Sequence, residues 1–210
     1  MATKVGIVSG FLGSGKTTAI IEIGKILDYE YGLKSAILMN DIGQVNVDNE
    51  FLEGMGMQAC QVTGKCICCT LGTSFQDTIK VLQENFDPDV ILIEPTGIAI
   101  PERVRDRFHE GLFGEGFEVA PLIVLVDGYR FLDFADTIDE LIERQTKGVE
   151  IIAINKMDLV DNEEKLEKIK ESVKKINPKA CIMEMSAKNK EGIDILVEVI
   201  LGKNGTAKNA

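Results

Sequence analysis

The sequence lacks the features that mark membrane and secreted proteins. None of its apolar stretches approaches the roughly 20 residues that a membrane-spanning helix needs. The first four residues lead straight into an apolar run rather than into a signal peptide. The five cysteines are an odd number, so without a secretory signal a disulfide framework is the weaker explanation for them. We therefore expect a cytoplasmic protein with reduced thiols and no membrane partner.

Positive charge is also scarce. Lysine and arginine total 23 against 34 aspartate and glutamate residues, which gives a net charge of −11 at pH 7. This balance disfavours the phosphate backbone of a nucleic acid as a partner. The sequence shows no repeat, linker or low-complexity tract. Its 210 residues fit one domain with one substantial core.

Apolar runs of strand length alternate with helical patterns along the chain. The runs are residues 4–9, 35–39, 90–93, 122–126, 150–154 and 181–185. Continuous apolarity is typical of strands that helices cover on both faces, so the runs predict a mostly parallel, doubly wound sheet in a three-layer α/β/α fold. Helices are expected over 16–31, after the capping pair Asp161-Asn162, and over 191–201. Ligands should bind at the edge where the carboxyl ends of the strands meet.

The most informative motif, G-x-x-x-x-G-K-S/T, spans residues 10–17 directly after the first apolar run. We call these residues the phosphate loop. Glycines let the backbone curl so that its N–H groups face a phosphate, and the positive end of the following helix points there too. The alternative is a glycine-rich turn with an exposed lysine. The motif predicts a P-loop NTPase whose nucleotide contacts are Gly13, Ser14, Gly15, Lys16, Thr17 and Thr18.

Two later segments indicate which base is bound. After the run at 150–154 comes Asn155-Lys156-Met157-Asp158, and a carboxylate at the fourth position can accept hydrogen bonds from N1–H and the 2-amino group of guanine. Adenine offers neither donor. Ser186 and Ala187 follow the last strand, where small GTPases place a loop whose backbone N–H meets the guanine carbonyl. The two segments predict GTP or GDP as the ligand, and the alternative is that they form ordinary polar turns.

Two acids are candidates for Mg²⁺ and for hydrolysis. Glu94 ends a buried strand in Ile93-Glu94-Pro95-Thr96-Gly97 and is expected to reach Mg²⁺ through water, together with the Thr17 hydroxyl. Its alternative role is that of a capping acid. Asp41 is the second candidate, for Mg²⁺ or for orienting the attacking water. With Lys16 these acids form the predicted catalytic set, and slow turnover is expected because no arginine finger is evident.

Three of the five cysteines, Cys66, Cys68 and Cys69, lie within four residues. Thiolates bind Zn²⁺, and a pair of them leaves a coordination position open, which suits transient loading of a metal. Inert buried thiols and a redox-active pair remain alternatives. Cys60 and Cys181 are interpreted as core thiols. His109 is interpreted as an ordinary exposed histidine on a polar helix.

The chain carries five short motifs in this order: G-F-L-G-S-G-K-T-T, G-K-C-I-C-C-T, I-E-P-T-G, N-K-M-D and S-A-K. With these motifs it resembles the CobW/HypB/UreG group of metal-handling GTPases. Within the group it is most similar to the nucleotide-binding domain of CobW. The resemblance implies that GTP hydrolysis drives delivery of zinc, cobalt or nickel to a target metalloprotein or cofactor-insertion enzyme, with zinc favoured. It also implies a GTP-dependent homodimer, and it assigns Cys66, Cys68 and Cys69 to the metal motif, Cys68 foremost.

Two departures accompany the resemblance. Where the family commonly has N-E-F-G-E, this chain has N-D-I-G-Q at residues 40–44, so an amide replaces the second acid. CobW proteins usually carry a further C-terminal domain, whereas here we expect one GTPase domain over 1–202 and a flexible tail over 203–210. Two rival functions stay open: a GTP-switched chaperone of a metalloenzyme or corrinoid enzyme that never binds the metal, and an ATP-using small-molecule kinase.

Overall fold

A computed structural model of the chain describes residues 2–39, 58–61, 73–113, 115–135 and 139–203, with only the backbone described at 58–61, 73–77, 134–135 and 139. Within these residues eight strands form one sheet. The strands are β1 (Thr3–Gly10), β2 (Ser35–Met39), β3 (Gln58–Gln61), β4 (Val90–Glu94), β5 (Phe117–Val119), β6 (Ile123–Asp127), β7 (Ile151–Asn155) and β8 (Cys181–Glu184).

Every strand pairing is parallel, in the order β3-β2-β4-β1-β6-β7-β8, with β5 paired to the start of β1. The strands β2, β4 and β7 are buried along their whole length. Burial on both faces explains why their sequences are continuously apolar. The predicted parallel, doubly wound sheet is confirmed.

Helices cover both faces of this sheet. They are α1 (Lys16–Tyr29), α2 (Thr73–Asn85), α3 (Pro101–His109), α4 (Phe131–Ala135), α5 (Asp139–Thr146), α6 (Glu163–Ile176) and α7 (Ile193–Leu201). One apolar cluster joins the sheet to α1 and α7, through residues such as Ile23 and Leu196. The other joins it to α2, α3, α5 and α6, through residues such as Leu82, Phe108 and Ile169. The three-layer α/β/α architecture is therefore confirmed.

The structure differs from the sequence prediction at several element ends. The strands β3 and β5 were not predicted, because β3 has only two apolar residues and β5 is three residues long. Pro121 has no N–H for the ladder, and it separates β5 from β6 after Ala120 has donated to the Val5 carbonyl at 2.9 Å. The last helix begins at 193 rather than 191, because Glu191 pairs with Ser186 in an antiparallel bridge.

Because the strands are parallel, the segments that follow β1, β4, β6, β7 and β8 leave the sheet at the same edge. The phosphate loop follows β1, Glu94 ends β4, Asp127 ends β6 and Asn155 ends β7. The fold thus gathers the predicted nucleotide segments at one edge. No helix in the described parts of the chain is long and apolar enough to cross a membrane.

The helix α6, which follows the Asn155–Asp158 segment, depends on a side-chain cap. The Asn162 side-chain oxygen accepts hydrogen bonds from the backbone N–H groups of Glu164 at 2.8 Å and Lys165 at 3.4 Å. We predict that Asn162→Ala lowers the free energy of unfolding by about 1 kcal/mol, because helix donors lose their acceptor. Denaturant unfolding measures this change. The exposed neighbour Asp161 is the matched control, and a loss as large in Asp161→Ala would contradict the assignment of the cap to Asn162.

Candidate functional site

The phosphate loop owes its shape to glycines with positive φ. Gly10, Gly13 and Gly15 have φ of 142°, 79° and 92°, a region that side chains with a Cβ rarely adopt. Gly15 is the N-cap of α1, and a Cβ there would collide with the side-chain nitrogen of Asn155. The loop therefore curls tightly into the amino end of a 14-residue helix. This arrangement is the geometry of an anion-binding cradle.

Lys16 and Thr17 are oriented by the loop and by a neighbouring strand. The Lys16 side chain is buried, and its ammonium nitrogen donates to the Phe11 carbonyl at 3.1 Å. The Thr17 hydroxyl donates to Oε1 of Glu94 at 2.9 Å, although the two residues lie 77 positions apart. Lys16 thus lies over the loop, and Thr17 lies against the end of β4.

The Thr17 hydroxyl and the buried Glu94 carboxylate bring oxygen ligands together beside the phosphate loop. Hard divalent cations such as Mg²⁺ take oxygen ligands and are often held by one or two carboxylates plus substrate phosphates. The donor set therefore fits Mg²⁺. Asp41, the second predicted acid, lies outside the described residues.

A buried amide joins the phosphate loop to the end of the sheet. The Asn155 side-chain nitrogen donates to the Ser14 carbonyl at 2.8 Å, and its oxygen accepts from the Ala187 N–H at 2.9 Å. Asn155 lies at the end of β7, between the two segments that it connects. One side chain therefore sets the distance between the phosphate loop and the segment at 186–188.

Beside this amide lies a cavity of about 210 Å³, which we call the base pocket. Its lining comes from three separate segments of the predicted nucleotide site: Gly15, Thr18, Asn155, Lys156, Asp158, Leu159, Ala187 and Lys188. The pocket places the Asp158 segment next to the phosphate loop. The three segments therefore line one cavity, and their binding of a nucleotide stays a prediction.

The carboxylate of Asp158 is held in its charged form. The Ser186 hydroxyl donates to Oδ1 at 2.7 Å, and the Lys188 ammonium lies 3.5 Å from Oδ2. The Ser186 hydrogen bond, with a smaller contribution from Lys188, lowers the pKa of Asp158 below its ordinary value. An ionised carboxylate only accepts hydrogen bonds and has acceptor sites beyond the one that Ser186 uses. Asp158 can therefore accept hydrogen bonds from a ligand that has two adjacent donors.

Asp127 is a site residue whose main contact the sequence did not predict. Its Oδ1 accepts from the backbone N–H groups of Tyr129 and Arg130 and so caps the turn after β6. Its Oδ2 also pairs with the Lys156 ammonium at 2.7 Å. Lys156 itself has a left-handed backbone, with φ of 66°. The ion pair joins the ends of β6 and β7, and only the adjacency of these two strands reveals it.

The candidate metal residues Cys66, Cys68 and Cys69 lie outside the described residues. The backbone of Cys60 lies in β3, opposite Leu38, while Cys181 is a free, partly buried thiol in β8. His109 is exposed at the end of α3. Among the described residues no three histidine, cysteine, aspartate or glutamate side chains gather into a potential metal site.

The chain is similar in sequence to known nucleotide-binding proteins. A profile described as the CobW/HypB/UreG nucleotide-binding domain matches residues 4–184. The zinc chaperone YeiR of Escherichia coli is 30% identical over 156 residues, which cover 74% of this chain and 47% of YeiR. The zinc chaperone CobW of a Sinorhizobium species is 31% identical over 183 residues, covering 74% of this chain and 51% of that protein. The chain thus spans about half the length of these curated relatives.

Solved structures share the fold. The hydrogenase maturation factor HypB of Archaeoglobus fulgidus superposes with a TM-score of 0.64 at 24% identity, over 96% of this chain and 90% of HypB. At this identity the likeness extends to the architecture alone. It supports the P-loop NTPase fold that the sheet order and the phosphate loop already indicate.

Because the Ser186–Asp158 hydrogen bond lowers the pKa of Asp158, we predict that it makes the stability of the folded state depend on pH. A carboxyl whose pKa is lowered on folding stabilises the folded state above its unfolded pKa, and this contribution is lost as the pH falls through the folded value. Ser186→Ala should raise the pKa of Asp158 towards its ordinary value, and Lys188→Met should raise it less. A carbon-detected NMR titration of the Asp158 carboxyl measures both shifts. An unchanged pKa in Ser186→Ala would show that another group holds the charge.

Proposed function

The chain belongs to the CobW/HypB/UreG family, and on that premise we propose that it is a Mg²⁺-dependent GTPase that couples guanine-nucleotide binding and hydrolysis to the delivery of a transition metal. The observation that carries the proposal is the base pocket beside the phosphate loop, in which Asp158 is charged and oriented. Relatives of the chain bear the names zinc chaperone and zinc-regulated GTPase.

The donors and acceptors of the base pocket support a preference for guanine. We propose that Asp158 accepts hydrogen bonds from N1–H and the 2-amino group of guanine, while Ala187 and its neighbours border the opposite side of the base. Adenine would face the carboxylate with an acceptor, so Asp158 would receive no hydrogen bond from the base. Lys156, held by Asp127, borders the same pocket.

Hydrolysis requires the phosphate end of the site. In the proposal the phosphate-loop N–H groups and Lys16 hold the β- and γ-phosphates, Thr17 and Glu94 hold Mg²⁺, and Asp41 with Glu94 orients the attacking water. Mg²⁺, when bound, neutralises charge on the phosphate oxygens. The contact between Thr17 and Glu94 supports this assignment, because it brings the end of β4 to the phosphate loop. Slow turnover is expected unless a partner or a second copy supplies a cation.

The metal-binding part of the proposal depends on chain order. Cys66, Cys68 and Cys69 are proposed to hold Zn²⁺, or alternatively Co²⁺ or Ni²⁺, for transfer to a target metalloprotein or cofactor-insertion enzyme. The chain reaches them after leaving β3, which ends at the same edge of the sheet as the phosphate loop. The chain then returns through α2 to β4 and Glu94. Nucleotide and metal would therefore act on one connected segment.

Two exposed apolar side chains lie next to the proposed triphosphate site. Leu12 in the phosphate loop and Ile98 after Gly97 are 66% and 65% exposed, although both are large and apolar. Gly97 lies against the backbone of Leu12. Exposed apolar residues grouped at a functional site favour a docking surface. We propose that a second copy docks here in the GTP-bound state.

We predict that Asp158→Asn weakens GDP binding by roughly 100-fold or more, since a site built to accept two hydrogen bonds loses its charge. The asparagine amide can donate to the 2-oxo group of xanthine, so xanthosine diphosphate should bind the variant better than GDP does. Competition against a fluorescent nucleotide measures both affinities. Asp161→Asn, three residues further on and exposed, is the matched control. Equal GDP binding by Asp158→Asn and wild type would refute guanine recognition by Asp158.

For the metal we predict that Cys68→Ser weakens Zn²⁺ binding by at least about tenfold, because a thiolate ligand is lost. Zn²⁺, Co²⁺ and Ni²⁺ are titrated into protein loaded with GDP or with a non-hydrolysable GTP analogue. Cys181→Ser removes a thiol of β8 and serves as the matched control.

Wild type should bind the metal with different affinity in the two nucleotide states, whereas Cys181→Ser should match wild type. Affinity that changes with neither the nucleotide nor Cys68→Ser would reject metal delivery by this segment. A nucleotide-dependent complex with a target that survives serine at both Cys66 and Cys68 would favour a chaperone that does not itself bind the metal.

A further inference from the structure

The buried side-chain amide of Gln145, which belongs to no nucleotide-binding motif, contacts the segment after β4. Gln145 lies on α5 and is 2% exposed. Its side-chain nitrogen donates to the Gly97 carbonyl at 2.9 Å and to the Ala99 carbonyl at 3.0 Å. An amide nitrogen carries two hydrogens, so each carbonyl can receive its own. Gln145 therefore clamps residues 94–99, which we call the Gly97 loop, from the side of α5.

Within the Gly97 loop the peptide groups on both sides of Gly97 are held. The Ala99 N–H donates to the Thr96 carbonyl at 2.9 Å, and this carbonyl belongs to the peptide group that carries the Gly97 N–H. The Gly97 carbonyl belongs to the next peptide group, and Gln145 holds it. The direction of the Gly97 N–H is therefore fixed by one backbone bond and one side chain.

The clamped loop lies directly against the phosphate loop. A Cβ on Gly97 would lie 3.0 Å from the backbone nitrogen of Leu12 and 3.3 Å from its Cα, closer than side chains normally pack. The same loop begins at Glu94, whose carboxylate accepts a hydrogen bond from the Thr17 hydroxyl. Small displacements of the Gly97 loop would therefore change its contact with the phosphate loop beside the proposed Mg²⁺ ligands.

We propose that Gln145 is a positioning residue that holds the Gly97 loop in the arrangement that receives the terminal phosphate of GTP. This inference rests on the proposed nucleotide site. A diphosphate lacks the group that this loop would contact, and the base pocket and the rest of the phosphate loop hold both nucleotides alike. Loss of the clamp should consequently weaken triphosphate binding more than diphosphate binding.

The test compares two substitutions at adjacent buried positions of α5. Gln145→Met keeps the length of the side chain and removes both donors. Thr146→Val is the matched control: Thr146 is 1% exposed, and its hydroxyl donates to the Ile142 carbonyl at 2.7 Å, inside the same helix. Affinities for GDP and for a non-hydrolysable GTP analogue, single-turnover GTP hydrolysis and thermal unfolding are measured for each.

Gln145→Met should weaken binding of the GTP analogue by about tenfold, because two buried carbonyls lose their donor, and it should slow hydrolysis. Its affinity for GDP should stay within about twofold of wild type, and Thr146→Val should change neither affinity. Equal losses for both nucleotides, or no loss for either, would overturn the assignment and leave Gln145 a packing residue.

Two further outcomes are distinguished. Should Gln145→Met not fold, Gln145→Asn keeps an amide but is one methylene too short to reach both carbonyls, and the same affinity ratio decides. Wild-type protein that binds no guanine nucleotide would overturn the proposed function together with this inference. Wild-type protein that binds both nucleotides, with the same ratio as its Gln145 variants, would overturn the role of Gln145 alone.

Discussion

The rest of the site depends on the two hydrogen bonds of the buried Asn155 side chain. One goes to the Ser14 carbonyl of the phosphate loop and the other comes from the Ala187 N–H. A buried amide that loses a partner carries a desolvation cost of about 1–3 kcal/mol, so the two segments are held at one separation. Gly15 permits this approach, since any Cβ there would occupy the place of the Asn155 nitrogen. The phosphate cradle and the base pocket are thereby parts of one rigid unit.

The proposed phosphate site lies in an acidic chain, so local positive groups must offset the overall negative charge there. The net charge is −11, yet backbone N–H groups, the amino end of α1 and Lys16 border the proposed phosphate site. The acids of this edge are engaged by donors: Asp158 by Ser186, Glu94 by Thr17, and Asp127 by Lys156. Each of these carboxylates is therefore held in one orientation by its donor. The net negative charge disfavours a nucleic-acid backbone, while local donors favour a small phosphate ligand.

The sequence predicted much of the fold because parallel strands buried on both faces leave a continuous apolar run, as in β2 and β7. Its motifs also predicted roles for Lys16, Thr17 and Asp158, and the structure places these three residues at one edge of the sheet. The sequence could not predict the Asp127–Lys156 ion pair or the Gln145 clamp, since these join residues 29 and 46 to 48 positions apart through tertiary packing. Short β5 was missed because its three residues, followed by Pro121, leave no apolar run of strand length. Asp41 and the three clustered cysteines remain predictions.

The central claim is that the base pocket selects guanine at the edge of a phosphate-binding sheet. Equilibrium competition between GDP and ADP for the wild-type chain tests it most directly, since the two ligands share every phosphate contact and differ only in the base. GDP should bind tighter than ADP by a factor on the order of 10³ or more, as expected for a site whose charged carboxylate accepts hydrogen bonds from guanine and faces an acceptor on adenine. Equal affinities for GDP and ADP would contradict it.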